Sequence, residues 1–589
     1  MVPPRSGRET AILKRSFART ATDRARWFYI GVLCFGLFLA GKLAVVQAMQ
    51  GPSLARDALA QRSDTIEMFA RRGSILDRHG AVIARSLPSK SIYAVPRDIT
   101  DPDTVARKLG AIVGKLSPDT VAALHDKSLW FIWIARKVDH SVAARVAALH
   151  LVGVAERREK TGRRVYVDGP EFSSTIGFVG TDENGLDGLE YSLNPWLQGR
   201  SGKETLETDE MGRPLPFGHA DVLERARPGY DVELTLDSYL QFVTERALEK
   251  QVKKYHASSG VAIVMDPKTG AILALANLPH FDPNHFWRYT SAQRRDRAVE
   301  DAYEPGSTYK LVTAAAAIQS GKVTLASRFP ARDAITVGGH TIHNADDGFT
   351  AGSHGTESLE NIIAYSHNVG AAEVGMSIGA RTFYNMERAA GFGEPTQIEL
   401  PGENPGIVPK PSQFSGSSLA TMSFGQGVAV TPLALARYYC AIANGGLLLR
   451  PHIVHAILKH DGTLVYRYPV QIERRIFSEK TAAILRKFLR AVVRYGTGDP
   501  AAQIPGYTTA GKTGTAQIEE NGVYQPGAYV ASFIGMIPAR DPRFVILVKI
   551  DRPIGSYYGS QVAAPAFDTI ARAAMLHAGF LPQVKQAKR

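Results

Sequence analysis

The heptapeptide Glu304-Pro305-Gly306-Ser307-Thr308-Tyr309-Lys310 carries the side chains best placed for chemistry. Pro305 and Gly306 stop whatever precedes them, and the Ala-rich stretch from Leu311 to Ile318 favours helix, so the pattern predicts Ser307 in the first turn of a helix. Lys310 then lies one turn later on the same face. A serine hydroxyl is a weak nucleophile until a base stands beside it. A neutral lysine can be that base where desolvation or a neighbouring cation lowers its pKa. A helix start also offers N–H groups and a positive dipole end to the oxyanion of an acyl transfer. No other Ser-x-x-Lys occurs in the chain, although by itself the tetrapeptide equally suits a capped helix with a solvated lysine.

Two further segments can complete such a site. Ser366-His367-Asn368 falls between helical patterns at Ser358 to Tyr365 and Val369 to Ile378. Its serine can relay a proton to or from an amine, and its asparagine amide can bind a peptide group. The bland alternative is an N-cap, and Ser192-Leu193-Asn194 repeats the pattern elsewhere. Lys-Thr-Gly occurs three times, at Lys160, Lys268 and Lys512. The second reads as a hairpin turn, whereas Lys512-Thr513-Gly514-Thr515 reads as part of an edge strand. There Lys512 adds positive charge, Gly514 permits close backbone approach, and the Thr513 and Thr515 hydroxyls suit a carboxylate. The Thr515 N–H can pair with that of Ser307 as an oxyanion hole.

The elements that must position these residues follow from the hydrophobic pattern. Glu233 to Asp237 reads as a strand and Ser238 to Tyr255 as an amphipathic helix. Val261 to Met265, the turn Asp266 to Gly270 and Ala271 to Asn277 read as a hairpin. Tyr507 to Gln517, Tyr529 to Ile537 and Arg543 to Ile550 read as three more strands, with mostly helical sequence between the two groups. The expected fold is α+β, one antiparallel sheet made from both ends of this region with helices packed on it. Tyr438 and Tyr439 are expected in its core.

At 589 residues, 44% hydrophobic and 21% charged, the chain is expected to fold throughout, in two or more domains. Its net charge of +13 comes with no Arg-rich helix, zinc spacing or RNP-like aromatic pattern, which points away from nucleic acid and towards an anionic membrane or wall polymer. Residues 1–26 hold seven basic side chains against two acidic ones, and an apolar run from Trp27 to Gly41, prolonged past Lys42 to Met49, follows them. We read residues 1–26 as a cytoplasmic tail, 27–49 as one membrane-spanning anchor, and everything beyond as extracytoplasmic. A cleaved signal peptide ending near Val46-Gln47-Ala48 is the competing reading. Of two cysteines, Cys34 lies in the anchor, so the outer part, with only Cys440, must be stable without disulfides. His340-x-x-His343 with Asp346, Asp347 and His354 could suggest zinc, but polar loops hold such residues routinely.

The order Ser307-x-x-Lys310, Ser366-x-Asn368, Lys512-Thr513-Gly514 resembles the motif set of penicillin-recognising enzymes. Nearly the whole chain is similar to a class B penicillin-binding protein of the FtsI-like septal type. Arg72-Gly73-Ser74-Ile75-Leu76-Asp77-Arg78-His79-Gly80 and Gly185-Leu186-Asp187-Gly188-Leu189-Glu190 resemble motifs of that family's pedestal domain, and Ser423-Phe424-Gly425-Gln426-Gly427 one of its transpeptidase domain. Val167 departs from an expected proline, and Asp296 from an asparagine. The resemblance implies an elongated N-terminal pedestal over 50–225, a penicillin-binding/β-lactamase-like transpeptidase domain over 226–580 and a basic tail over 581–589. It further implies peptidoglycan D,D-transpeptidase activity with Ser307 as nucleophile, no cofactor, and an inner-membrane location. Stem peptides, β-lactams, a FtsW-like glycosyltransferase and other division-site membrane proteins are the implied partners. Lateral-wall duty or a non-catalytic β-lactam-binding scaffold or sensor are the alternatives. A β-lactamase needs neither anchor nor pedestal.

Overall fold

The computed structural model describes residues 9–68, 70–159, 161–207, 220–345, 355–520 and 522–583. Lys160, Asp346, Asp347, His354, the N-terminal arginines Arg5 and Arg8 and the tail from residue 584 lie outside the described residues. Two compact units form, one of Met1–Met68 with Ser201–Ala226, the other of Phe69–Arg200 with Arg227–Arg589.

In the smaller unit, helix Glu9–Val45 runs through a single wide turn, Val46–Gln50, into helix Gly51–Arg62. The segment Thr22–Ala58 is long and apolar enough to cross a membrane, and none of its most apolar stretch is buried by protein. Strand Ser63–Met68 then pairs antiparallel with Gly202–Glu207, which pairs with Ala220–Glu224.

The larger unit is organised on a five-stranded, wholly antiparallel sheet in the order Ile272–Leu278, Ser259–Met265, Phe544–Asp551, Val523–Ile537, Ala510–Glu520. Its strands come from both ends of the region, as the hydrophobic pattern implies. Near-continuous apolar runs arise because both faces are covered. Val261, Ile263 and Met265 join the core on one face, while Ala262 and Val264 join that on the other. Helices Ser238–Lys254 and Ala564–His577 pack on the second face. On the first lies a helical layer that includes Lys310–Gln319, buried from Lys310 to Ala317, and Pro432–Ala443, buried along its whole length. Tyr438 and Tyr439 are fully buried there, and their hydroxyls donate to the Leu311 and Thr308 carbonyls, both at 2.9 Å. Those bonds offset the burial of the phenol oxygens and of two carbonyls at the start of the nucleophile-bearing helix.

A second sheet, of six strands, is ordered Leu464–Arg467, Val454–Leu458, Asp231–Leu234, Ile75–Leu76, Val82–Leu87, Arg163–Tyr166. Beneath it the two pedestal-like motifs meet. The Glu190 carboxylate, with no solvent exposure, accepts from Arg72 Nε at 2.8 Å and Nη2 at 2.6 Å, and from Arg164 Nε at 2.6 Å. Burial alone would raise this carboxyl, but the two guanidiniums prevail and hold it below its ordinary range. Asn194 of the decoy Ser-Leu-Asn also serves here, its Oδ1 accepting from Arg72 Nη1 at 2.7 Å. A smaller layer, Ile132–Val138, Lys90–Ala94 and Val154–Arg158 with three short helices, carries its own core around Ile92, Leu109 and Leu124.

Candidate active site

Ser307 stands in a 3-10 turn, Gly306–Tyr309, that runs directly into helix Lys310–Gln319. Gly306 has φ of 54°, and a Cβ there would lie 2.9 Å from the Thr515 carbonyl oxygen, so the edge strand presses against this turn. Gly425 supports the turn from another side, its carbonyl accepting from Gly306 N at 3.1 Å; a Cβ on Gly425 would meet the Gly306 oxygen at 2.2 Å. The Glu304 carboxylate accepts from Gly427 N at 2.7 Å and from the Tyr524 hydroxyl at 3.1 Å. Burial raises that carboxyl above its ordinary range against the hydrogen bonds that lower it.

Lys310 and Lys512 are both fully buried. Lys310 Nζ donates to Ser307 Oγ at 3.1 Å, Ser366 Oγ at 3.1 Å and Asn368 Oδ1 at 2.8 Å, and also to the Ser366 carbonyl. Lys512 Nζ reaches the same Ser366 hydroxyl at 2.9 Å and the Thr513 carbonyl at 3.2 Å. The five polar side chains singled out from sequence, Ser307, Lys310, Ser366, Asn368 and Lys512, thus form one connected network with Ser366 Oγ between the two amines.

Ser366 is not an N-cap. It has φ of 63°, left-handed for a residue with a Cβ, and ends helix Leu359–Ala364 while the His367 N–H bonds back to the Ile362 carbonyl at 3.0 Å. This is a Schellman-type closure with serine where glycine is usual, a costly choice of the kind found at functional sites. His367 is buried and paired through Nδ1 with Glu357, which anchors the loop. Asn368 opens helix Asn368–Ile378, and its Nδ2 donates to the His343 carbonyl at 3.0 Å.

Lys512, Thr513, Gly514 and Thr515 lie on the edge strand Ala510–Glu520. That strand begins at Ala510, not Tyr507, because Pro505-Gly506 sets a turn in which Tyr507 N bonds the Ile504 carbonyl at 3.0 Å. A Cβ on Gly514 would sit 2.3 Å from Ser532 Oγ and 3.0 Å from Thr308 Cγ2, so only glycine lets the strand lie this close to the Ser307 turn. Ser307, Ser366, Asn368, Thr513 and Thr515 line one cleft of about 810 Å³.

Several lining residues went unnoticed in sequence. Thr497 Oγ1 lies 2.8 Å from Thr513 Oγ1, and the Tyr557 carbonyl accepts from Thr515 Oγ1 at 3.3 Å. The Tyr557 ring stacks on Tyr529 at 4.3 Å. Neither the Thr497 segment nor the Tyr557 segment carries a motif or spacing that marks it for chemistry. His340 and His343 lie three residues apart on one strand, so their side chains leave from opposite faces, while Asp346, Asp347 and His354 are outside the described residues.

Comparison with known proteins matches residues 260–572 to the family described as penicillin binding protein transpeptidase domain, and residues 67–234 to the penicillin-binding protein dimerisation domain. Stage V sporulation protein D of Bacillus subtilis is 33% identical over 96% of this chain and 88% of its own length. Peptidoglycan D,D-transpeptidase FtsI of Escherichia coli is 31% identical over 90% of this chain and 88% of its own. Among solved structures, penicillin binding protein 3 of Mycobacterium tuberculosis complexed with aztreonam superposes with a TM-score of 0.68 at 30% identity, covering 89% of this chain and all of that one.

Proposed function

The chain belongs to the class B penicillin-binding proteins, and from that premise we propose that it is a membrane-anchored serine D,D-transpeptidase that cross-links peptidoglycan stem peptides through an acyl-enzyme on Ser307. One observation carries the reading of the site: Lys310 Nζ bonds Ser307 Oγ while Ser366 Oγ bridges Lys310 and Lys512.

In this mechanism Lys310, as the neutral amine, takes the Ser307 proton as Oγ attacks the carbonyl carbon of the penultimate D-Ala. The oxyanion faces the N–H groups of Ser307 and Thr515. As the C–N bond breaks, the terminal D-Ala leaves as its amine, protonated through the Ser366 hydroxyl. Lys512 and the Thr513 and Thr515 hydroxyls hold that residue's carboxylate, and Gly514 lets the substrate backbone lie along the strand. An amine from a second stem peptide then attacks the acyl carbon, loses its proton by the same relay, and restores Ser307. Asn368 orients Lys310 through Oδ1. β-Lactams would acylate the same hydroxyl.

The region after the anchor, 50–225, serves as pedestal and 226–580 carries the chemistry, a division supported by the family matches at 67–234 and 260–572. The basic tail and single apolar helix support a cytoplasmic N-terminus and an extracytoplasmic catalytic region at the inner membrane. Septal duty, with a FtsW-like glycosyltransferase and other division-site membrane proteins as partners, is supported by the similarity to FtsI.

The activity is tested by incubating the full chain in detergent with a pentapeptide stem and an acceptor amine. Released D-Ala and cross-linked product are expected from the native protein and neither from Ser307→Ala; product from the variant would refute the assignment. Depletion in growing cells is expected to give filaments, whereas rounded cells would move the protein to the lateral wall.

A further inference from the structure

Away from the cleft, three ligating side chains from distant parts of the chain converge. His79 lies in the tight turn closed by Asp77, whose Oδ1 accepts from the N–H groups of His79 and Ala81, both at 2.8 Å. Asp237 is the N-cap of helix Ser238–Lys254, and His577 is the last residue of helix Ala564–His577. Both imidazole Nε2 atoms point at one carboxylate oxygen, Asp237 Oδ2, from 3.1 Å for His79 and 3.0 Å for His577. The three ligand atoms lie within 4.8 Å of one another.

We propose that His79, Asp237 and His577 form a binding site for a divalent transition-metal ion of the zinc type. Two imidazole nitrogens and one carboxylate oxygen are a donor set that zinc accepts, at about 2.0–2.2 Å each, with water completing a tetrahedron. Donor atoms around such an ion stand about 3.3 Å apart, a tetrahedral edge for those bond lengths. Two of the three edges here already have nearly that length, and the third closes by rotation of the exposed His79 ring. The other parts of the site are fixed. Asp237 Oδ1 accepts from Leu240 N at 3.1 Å, and the Tyr239 ring stacks on His577 with centroids 4.6 Å apart. Asp237 is 3% exposed, His79 60% and His577 35%, so the anion is sheltered while the ion has an open path from solvent.

In the bound state each imidazole ligates through a deprotonated Nε2 with its ring proton on Nδ1. The ion would tie the turn of the pedestal-like motif to the starting end of one sheet-covering helix and the finishing end of the other. No element of the Ser307 network is involved, so the site is a staple between segments and not part of acyl transfer.

The test uses the full chain in detergent, stripped with a chelator and dialysed, then titrated with zinc ion alone by calorimetry and with cobalt ion by visible absorption. One ion per chain is expected, with the cobalt spectrum of four-coordinate nitrogen and oxygen ligation and a rise in melting temperature on adding zinc. His79→Gln and His577→Gln, each checked for native far-UV circular dichroism, are expected to weaken zinc binding by about tenfold or more and to lose the melting shift. The exposed His79 turn makes that variant safe for folding. Absence of zinc binding to the native chain, or unchanged affinity in both variants, would overturn the site.

Discussion

Around Glu190 one carboxylate is gripped by two guanidiniums, whereas around Ser366 one hydroxyl is shared by two lysine amines. Both clusters are buried in the larger unit, and both join residues remote in sequence. The difference lies in what each side chain can do with a proton. An arginine never gives one up, so Arg72 and Arg164 can only hold Glu190, and two cations around one anion make the cluster a cross-link. Lysine nitrogen and serine oxygen can each donate or accept once a proton moves, so a chain of Ser307, Lys310, Ser366 and Lys512 is a path along which protons can pass. Arginine at the first cluster and lysine at the second follow from those tasks.

The sharpest test of that contrast is Lys310→Arg, which keeps a cation near Ser307 but offers no base. Acylation by a β-lactam is expected to slow about 10²- to 10⁴-fold, as in Lys310→Ala, measured as the second-order rate constant. A variant that acylates at the native rate would mean that charge alone suffices.

Removing the compensating anion attacks the other cluster. Glu190→Gln leaves two buried guanidiniums against a neutral amide and is expected to destabilise the protein by about 3–5 kcal/mol in denaturant unfolding. The acylation rate of the remaining folded molecules should be unchanged. A slowed acylation with native stability would erase the distinction between the two regions.

Asp296 offers a third arrangement, neither matched by a cation nor part of the relay. It accepts from Asn277 Nδ2 at 3.0 Å and Ala298 N at 3.1 Å, while its Oδ2 has no hydrogen-bond partner among the described residues. Burial pushes its carboxyl up to about 7, against the two hydrogen bonds that lower it. Because the folded pKa is raised, its contribution to stability is complete below about pH 4, where the unfolded chain also binds the proton. It is lost as pH rises through about 7. Asp296→Asn, which restores the residue expected at this position, should therefore stabilise the protein by about 2–3 kcal/mol at pH 8. The gain should shrink towards pH 5, as read from melting curves across that range. A gain independent of pH would show that Asp296 does not titrate as described.

Much of the site was legible because its motifs are local. Ser307 and Lys310 are spaced by one helical turn, and the apolar runs with their turn-forming borders at both ends of the region identified the sheet whose edge carries Lys512. What escaped is set by tertiary contact. Ser366 stood out by its motif, but not by its left-handed backbone, which is held by Lys310, Lys512 and the buried His367–Glu357 pair. Thr497 and Tyr557 reach the cleft from segments without chemical signature. The metal-type spacing at His340 and His343 drew attention because it is short, yet the described ligand atoms that converge are those of His79, Asp237 and His577, which no spacing rule connects.

The central claim is that Ser307, activated by Lys310, is the acylated nucleophile. It is tested most directly by intact-mass spectrometry of the full chain after exposure to a β-lactam, native beside Ser307→Ala. One stable adduct per native chain, mapped to the peptide holding Ser307 and absent from the variant, is the predicted result. An adduct that persists in Ser307→Ala, or none on a folded native chain, would contradict it.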